Sequence, residues 1–176
     1  MRRAVFLDRD GVINRALVHD GKPFAPVAIE ALEILPGVAE ALAKLRDAGF
    51  LNIVVTNQPD ISTGRQTREA LQAMHAQLSH ELALDSIKVC PHVDADHCAC
   101  RKPKCGMIVD AARELNVDLG ASYMVGDRWR DIVAGQEAGC RCFFIDYGYA
   151  EKHPPKPYVA VQSLPEAAGL ILSGKY

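Results

Sequence analysis

The sequence of 176 residues predicts an α/β fold, in which helices cover both faces of a central, mostly parallel sheet. Short apolar runs rich in β-branched or aromatic residues alternate with segments of helical period, the pattern of repeated βαβ units. Polar residues directly follow four of these runs, and such sheets bind ligands beyond the carboxyl ends of their strands. The length suits a single domain that spans residues 1–176.

Six apolar runs mark the strands of the predicted sheet. These are residues 4–7, 51–55, 87–89, 123–125, 142–145 and 158–161. Residues 147–157, between the last two runs, are rich in proline and predict a loop.

Segments of helical period fill the gaps between the strands, and capping residues indicate their ends. The first helix begins after Pro36 and ends at Gly49, a favourable pairing of start and stop residues. Thr67 is placed to cap the second helix, and Ser163 before Pro165 is placed to cap the last. The predicted helical segments are residues 37–49, 67–82, 107–115, 131–139 and 164–172.

The charge balance excludes a general attraction to polyanions. Lys and Arg number 20 against 22 Asp and Glu, and the net charge of -2 gives no field that would draw the chain to nucleic acid or an anionic membrane. Only four apolar residues lie between the two N-terminal arginines and Asp8, too few for a signal peptide, and no run is long enough to span a membrane. We expect a cytoplasmic monomer that binds neither nucleic acid nor membrane.

Two aspartates follow the first strand. Residues i and i+2 of an extended chain point the same way, so Asp8 and Asp10 face one site while Arg9 faces elsewhere, and Gly11 allows a sharp turn. Crowded carboxylates favour a bound cation or a raised pKa on one of them. Both outcomes suit phosphoryl transfer, in which one carboxylate attacks phosphorus, a second exchanges protons and Mg2+ neutralises charge.

Residues after the other strands complement this pair. Asp127 is the expected third Mg2+ ligand, because Mg2+ uses few protein carboxylates. Thr56 offers a hydroxyl and Asn57 a backbone N–H to phosphate oxygens. Lys102 supplies a point charge, and Arg101 a planar fork suited to a phosphate or a substrate rich in hydroxyls.

Each of these motifs is weak alone, because Asp-x-Asp and Thr-Asn are common in turns and loops. Together, in order and each after a strand, they favour a phosphoryl-transfer site over coincidence. They resemble the four signature motifs of the haloacid dehalogenase (HAD) superfamily and follow its spacing over nearly the whole chain. The matching segments are FLDRDGVIN, VVTNQ, CRKP and VGDRWRD.

The resemblance implies a three-layer, Rossmann-like fold and assigns roles to the motif residues. Asp8 would be the nucleophile of an aspartyl-phosphate intermediate, Asp10 the general acid and base, and Thr56 and Lys102 would stabilise the phosphoryl group. Mg2+ would be held by Asp8, by the backbone carbonyl of Asp10 and by Asp127. Asp131 matches the second acid of the last motif, where it orients its neighbours.

A cluster of cysteine and histidine follows the third strand of the predicted sheet. Its spacing, CxHx5CxC, offers three thiolates and one imidazole, a closed tetrahedral set that suits structural zinc. The alternative, four unligated core residues, fits a polar loop poorly. His97 and Cys105 are expected to be bystanders, and Cys140 and Cys142 to pack in the core. The predicted zinc ligands, in a loop over residues 90–100, are Cys90, His92, Cys98 and Cys100.

The zinc loop narrows the resemblance to a branch without a large cap domain. This branch contains phosphatases for D-glycero-D-manno-heptose 1,7-bisphosphate and for histidinol phosphate. The first substrate is favoured, because Arg101 and Arg128 could bind a second phosphate or sugar hydroxyls, and a cationic amino-alcohol would want an acidic pocket. A zinc-bearing interaction module and a phospho-receiver domain are the alternatives from other classes.

Substrate selection then falls to short loops, which hold the departures from this branch. They comprise residues 14–30, 57–65, 128–130 and the zinc loop, with Pro59-Asp60 and Arg128-Trp129 as unusual pairs. The predicted substrate-binding residues, for a small phosphorylated metabolite, are Arg9, Asn57, Gln58, Arg101 and Arg128. Four histidines are expected at the surface or on helix faces, and only the first of them near substrate: His19, His75, His80 and His153.

Overall fold

The computed structural model describes residues 1–175 and contains eight strands and five α-helices in that range. The strands are β1 (Arg3–Leu7), β2 (Leu17–His19), β3 (Lys22–Phe24), β4 (Phe50–Asn57), β5 (Ser86–Cys90), β6 (Tyr123–Gly126), β7 (Arg141–Ile145) and β8 (Val159–Val161). The helices are α1 (Val38–Asp47), α2 (Arg68–Glu81), α3 (Gly106–Leu115), α4 (Trp129–Glu137) and α5 (Leu164–Ser173). All predicted strands and helices are present.

Six strands form one parallel sheet in the order β5-β4-β1-β6-β7-β8. The predicted fold class is therefore confirmed. The central strand β1 is buried on both faces, and its side chains alternate between two cores. Val5 and Leu7 pack with α1, α5 and the last part of α2 on one face. Ala4 and Phe6 pack with α3 and α4 on the other.

The predicted caps of two helices are confirmed. Thr67 Oγ1 accepts a hydrogen bond from the backbone N–H of Ala70 at 3.1 Å, at the start of α2. Ser163 Oγ accepts from the N–H of Glu166 at 3.3 Å, at the start of α5. These side chains satisfy N–H groups that have no partner within the helix.

The segment 14–30, expected to be a loop, contains a small hairpin. Strands β2 and β3 pair antiparallel on either side of Asp20 and Gly21, which both adopt positive φ, at 50° and 72°. An Asp-Gly pair is a strong sequence signal for such a turn. The expectation was wrong because strands of three residues are too short to display an alternating pattern.

The topology brings the motif residues together. Strand β1 lies between β4 and β6, and all three run parallel, so their carboxyl ends meet at one edge of the sheet. The residues that follow them converge there. Across residues 1–175, no helix combines the length and the apolar character that a membrane crossing requires.

Candidate active site

Four charged side chains form a cluster at the carboxyl edge of the sheet. Lys102 Nζ lies 2.9 Å from a carboxylate oxygen of Asp8 and 2.6 Å from one of Asp131, and it donates to the Val55 carbonyl at 2.8 Å. Asp127 lies beside them, with carboxylate oxygens of all three aspartates within 4.8 Å of one another. We call these three aspartates and Lys102 the charged cluster.

The charged cluster is buried and electrically unbalanced. Its most exposed member, Asp8, has 7% of its surface accessible. Three carboxylates and one ammonium leave two negative charges uncompensated when all are ionised. Burial raises the pKa of Asp8 to about 6, although Lys102 opposes the shift. Burial and the charge of Asp8 raise the pKa of Asp127 well above its usual range.

These residues fit a divalent cation. Apart from the nearby Tyr149 hydroxyl, which lowers the Asp127 pKa, the buried carboxylate oxygens of Asp127 have no hydrogen-bond partner among residues 1–175. A buried polar group without a partner is costly, and a cation would satisfy it. Oxygen ligands and a deficit of two positive charges suit Mg2+.

Two glycines allow the backbone to approach the charged cluster closely. Gly11 has φ of +87°, and a Cβ there would lie 2.0 Å from a carboxylate oxygen of Asp127. A Cβ on Gly126 would lie 2.1 Å from the Cβ of Asp131. A side chain at either position would displace a carboxylate of the cluster.

Asp10 points away from the charged cluster into a set of donors, although both Asp8 and Asp10 line the same cavity. Asn14 Nδ2 donates to it at 2.9 Å and Gln58 Nε2 at 2.8 Å. The Arg9 guanidinium donates to it at 2.9–3.1 Å through Nε and Nη2. Hydrogen-bond donors from three residues therefore fix the orientation of the Asp10 carboxylate.

Arg9 was expected to bind substrate, but the structure places it behind Asp10. Its side chain is fully buried and does not line the cavity. Its remaining Nη1 lies 3.1 Å from Nε2 of His75 on α2. His75 was expected at the surface or on a helix face. Its contact with Arg9 depends on an approach between the turn after β1 and α2, which neither local sequence predicts.

The residues after β4 anchor the CRKP segment. Asn57 binds the backbone of Lys102 twice: Asn57 Nδ2 donates to its carbonyl at 3.0 Å, and its N–H donates to Asn57 Oδ1 at 3.1 Å. Thr56 is buried, and its hydroxyl accepts from Gln58 Nε2 at 3.0 Å. The side chain of Asn57 therefore positions a cation, in addition to the phosphate contact expected of its backbone.

The four predicted zinc ligands converge. Their sulfur atoms lie 3.1–3.7 Å apart, and Nδ1 of His92 lies 3.4–3.6 Å from two of them. Zinc bound tetrahedrally at about 2.3 Å would separate sulfur atoms by about 3.8 Å, so the donor set and its size fit zinc. His97 and Cys105 lie outside this group, whose members are Cys90, His92, Cys98 and Cys100.

Arg101 was expected at the active site, but its side chain lies on the zinc loop. Arg101 Nε donates to Asp94 at 2.7 Å and Nη1 to the His92 carbonyl at 3.0 Å, and the side chain does not line the cavity. Arg130 lines it instead and contacts the same Asp94 at 3.1 Å. Asp94 thus joins the zinc loop to α4. Although Arg101 directly precedes Lys102 in the chain, its side chain does not line the cavity.

The charged cluster opens onto a cavity of about 330 Å³. Predicted residues in its wall include Asp8, Asp10, Asn57, Lys102 and Arg128, but not the buried Thr56 and Gln58. Several others were not named individually from the sequence, although all but Glu151 lie in the segments 14–30, 57–65 and 128–130 that were expected to select the substrate. These are Lys22, Phe24, Thr63, Arg65, Arg130 and Glu151.

Residues 147–152 pack beside the cavity, which Glu151 lines, and the sequence gave no reason to place this segment here. Tyr147 donates its hydroxyl to the Gly11 carbonyl at 3.0 Å, and the N–H of Ala150 donates to the Gly21 carbonyl at 2.8 Å. Glu151 forms an ion pair with Arg128. This segment therefore joins the turn after β1 to the tip of the hairpin.

Comparisons with known proteins agree with this geometry. A HAD-hydrolase-like family model matches residues 99–167. D-glycero-beta-D-manno-heptose-1,7-bisphosphate 7-phosphatases from Haemophilus ducreyi and Bordetella bronchiseptica are 36% and 37% identical to the chain. The alignments cover 80% of both chains for the first, and 85% of this chain and 84% of the relative for the second.

The fold matches two solved structures closely. One is the D,D-heptose 1,7-bisphosphate phosphatase of B. bronchiseptica complexed with magnesium and phosphate, with a TM-score of 0.85, 32% identity and coverage of 98% of this chain and 99% of that one. The other is a HAD-like phosphatase from Mesorhizobium loti, with a TM-score of 0.79 and 29% identity. This match covers 98% of the present chain and 87% of that one. By sequence and by fold, the chain belongs to the HAD-like hydrolase family, among its phosphatases.

Proposed function

We propose that the protein is a Mg2+-dependent phosphomonoesterase that removes one phosphate from a small sugar bisphosphate, with D-glycero-D-manno-heptose 1,7-bisphosphate as the substrate. The observation that carries this proposal is the charged cluster. It places a buried carboxylate, Asp8, beside a fixed ammonium at the base of a cavity, with the carboxylate of Asp127 close behind it. The names of the relatives support the choice of substrate.

The residues divide the reaction between them. The Asp8 carboxylate attacks phosphorus, the bond from phosphorus to the sugar oxygen breaks, and Asp10 gives that oxygen a proton. Asp10 then takes a proton from water, whose oxygen attacks the phosphoryl group and releases Asp8. Lys102 neutralises phosphate charge throughout. Mg2+, held by Asp8, Asp127 and the Asp10 carbonyl, would bring phosphate and nucleophile together despite their like charges.

The rim of the cavity can receive a second phosphate. Arg128 and Arg130 already form ion pairs with acids, but Lys22 has no ion pair among residues 1–175. Arg65 contacts Asp60 only at 4.0 Å, and its side chain is 71% exposed. These two cations line the same cavity as Asp8. An anion is therefore favoured at the rim over the ammonium group of histidinol phosphate.

Replacing the nucleophile tests the reaction. Asp8→Asn should lower kcat by on the order of 10⁴-fold, because no other carboxylate can form the covalent intermediate. Its thermal stability without Mg2+ should be unchanged or higher, because burial already disfavours the charged form of Asp8. Phosphate release and thermal unfolding measure the two effects. Asp110→Asn, on the exposed face of α3, is the control; full activity in Asp8→Asn would refute the nucleophile.

Comparison of two substrates tests the specificity. We expect kcat/KM for the heptose bisphosphate to exceed that for histidinol phosphate by at least about tenfold, because only the first places an anion near Lys22 and Arg65. Steady-state phosphate release measures both. Lys22→Met should remove much of the difference by raising KM for the bisphosphate alone. A higher kcat/KM for histidinol phosphate would reverse the assignment.

The raised carboxylate pKa values predict how Mg2+ binding depends on pH. The folded protein retains protons on Asp8 and Asp127 that the unfolded chain has lost, so each group's contribution to stability falls as pH rises through its raised pKa, which is about 6 for Asp8. Mg2+ binds the ionised carboxylates and reverses this loss. The gain in Tm on adding Mg2+ should therefore be larger at about pH 7 than at about pH 5.

Thermal unfolding with and without Mg2+ checks this, in protein freed of Mg2+ by dialysis without a strong chelator so that zinc is retained. The pKa of His75, which burial lowers to about 4, changes stability in the opposite direction. That effect is common to both samples and cancels in the difference. Asp127→Asn should show little gain at either pH. An equal gain at both pH values in the unsubstituted protein would contradict the prediction.

We propose that zinc is structural and supports activity through Lys102, which follows the last ligand by two residues. Cys98→Ala or Cys100→Ala should lose zinc and lower kcat about a hundredfold, because a misplaced cation stabilises the transition state poorly. Metal analysis measures the zinc content, and phosphate release measures kcat. Cys105→Ala, outside the ligand group, should retain both properties. A zinc-free protein with unchanged kcat would overturn this role.

A further inference from the structure

The contact between Arg9 and His75 is unusual for a histidine on a helix face. Arg9 is fully buried, and its guanidinium is held at both ends: Nε and Nη2 donate to Asp10, and Nη1 lies 3.1 Å from Nε2 of His75. Arg9, two residues after β1, thus connects α2 to the proposed general acid and base.

The chemistry of the two groups fixes the state of His75. A guanidinium has donors only, so Nε2 of His75 must accept the hydrogen bond. The ring is then neutral, with its proton on Nδ1. Burial first, and then the charge of Arg9, lower the pKa of His75 to about 4, in agreement with this assignment. A protonated ring would face the guanidinium as a second cation.

His75 is itself attached to a rigid element. Its neighbour Met74 is fully buried, and α2 begins at the Thr67 cap and packs through Leu71 and Leu78. A contact to His75 therefore fixes the far end of the Arg9 guanidinium relative to the sheet. Without it, the Arg9 guanidinium is anchored only through Asp10, and the Asp10 carboxylate depends on Asn14 and Gln58 alone for its orientation.

We propose that His75 is a positioning residue that acts through Arg9 to orient the Asp10 carboxylate for proton transfer. This inference rests on the proposed function, specifically on Asp10 as general acid. His75 does not line the cavity and touches neither Asp8 nor Asp127 in the described contacts. Its loss should affect steps that need the Asp10 proton and spare those that do not.

The leaving group separates this role from a merely structural one. In the first step the bond from Asp8 to phosphorus forms and the bond from phosphorus to the leaving oxygen breaks. An alkyl leaving oxygen takes a proton from Asp10, whereas 4-nitrophenolate departs as a stable anion without one. A general loss of packing would slow both substrates equally.

The experiment compares kcat/KM, which reports on this first step, for a sugar phosphate and for 4-nitrophenyl phosphate. His75→Leu should lower kcat/KM by on the order of tenfold for the sugar phosphate and by less than about threefold for the aryl phosphate. His75→Gln, whose side-chain carbonyl can accept from Arg9, should restore most of the lost rate. His80→Leu, at an exposed position of α2, is the matched control.

Each outcome decides the inference. Equal losses on both substrates, or no loss on either, would overturn it. If His75→Leu does not fold, His75→Met replaces it in the same comparison. Asp10→Asn should give the same preference more strongly; if it does not, Asp10 is not the general acid, and the proposed mechanism fails rather than the His75 contact alone. A wild-type protein without turnover would refute the proposed function itself.

Discussion

The structure depends on a buried charge imbalance. Asp8, Asp127 and Asp131 surround one ammonium, that of Lys102, and leave two negative charges without compensation. Such a group is costly to bury, and the raised pKa values of Asp8 and Asp127 reflect that cost. A divalent cation would remove the imbalance, so the arrangement that destabilises the metal-free protein is the one that, in the proposed function, would hold the metal.

The position of Lys102 is fixed from two directions. Its side chain enters the charged cluster, and its backbone is held by Asn57 at the end of β4. Upstream, Asp94 joins Arg101 of the same segment to Arg130 of α4. The loop of the four predicted zinc ligands therefore sets the path of the chain toward Lys102, and in the proposed function a closed zinc site would support catalysis in this way without a chemical role for its metal.

The sequence predicted what local pattern can encode. Strands, helices and the Thr67 cap follow from periodicity and capping chemistry, and the convergence of Asp8 with Asp127 follows from parallel strands that end at one edge. The contacts of Arg9 and Arg101 were not predictable in this way, because a long side chain next to a motif can bind in several directions. His75 and Glu151 reach the site through packing between elements distant in sequence, for which one sequence carries no signal.

The ion pairs at the rim of the cavity bear on how the proposed substrate would be recognised. Its second phosphate would have to replace an acidic side chain as the partner of an arginine. Arg128 is half-buried against Glu151, and Arg130 is held by Asp94, so neither cation is free to attract a second phosphate from a distance. Lys22 on the hairpin and the loosely paired Arg65 carry that attraction. In the proposed function, a phosphate bound at the rim would compete with Glu151 for Arg128, whereas a neutral or cationic substrate would leave the pair intact. Because breaking an ion pair costs free energy, only a strongly charged group, such as the second phosphate of the proposed substrate, would offset this cost, and the pairs would select against weaker anions.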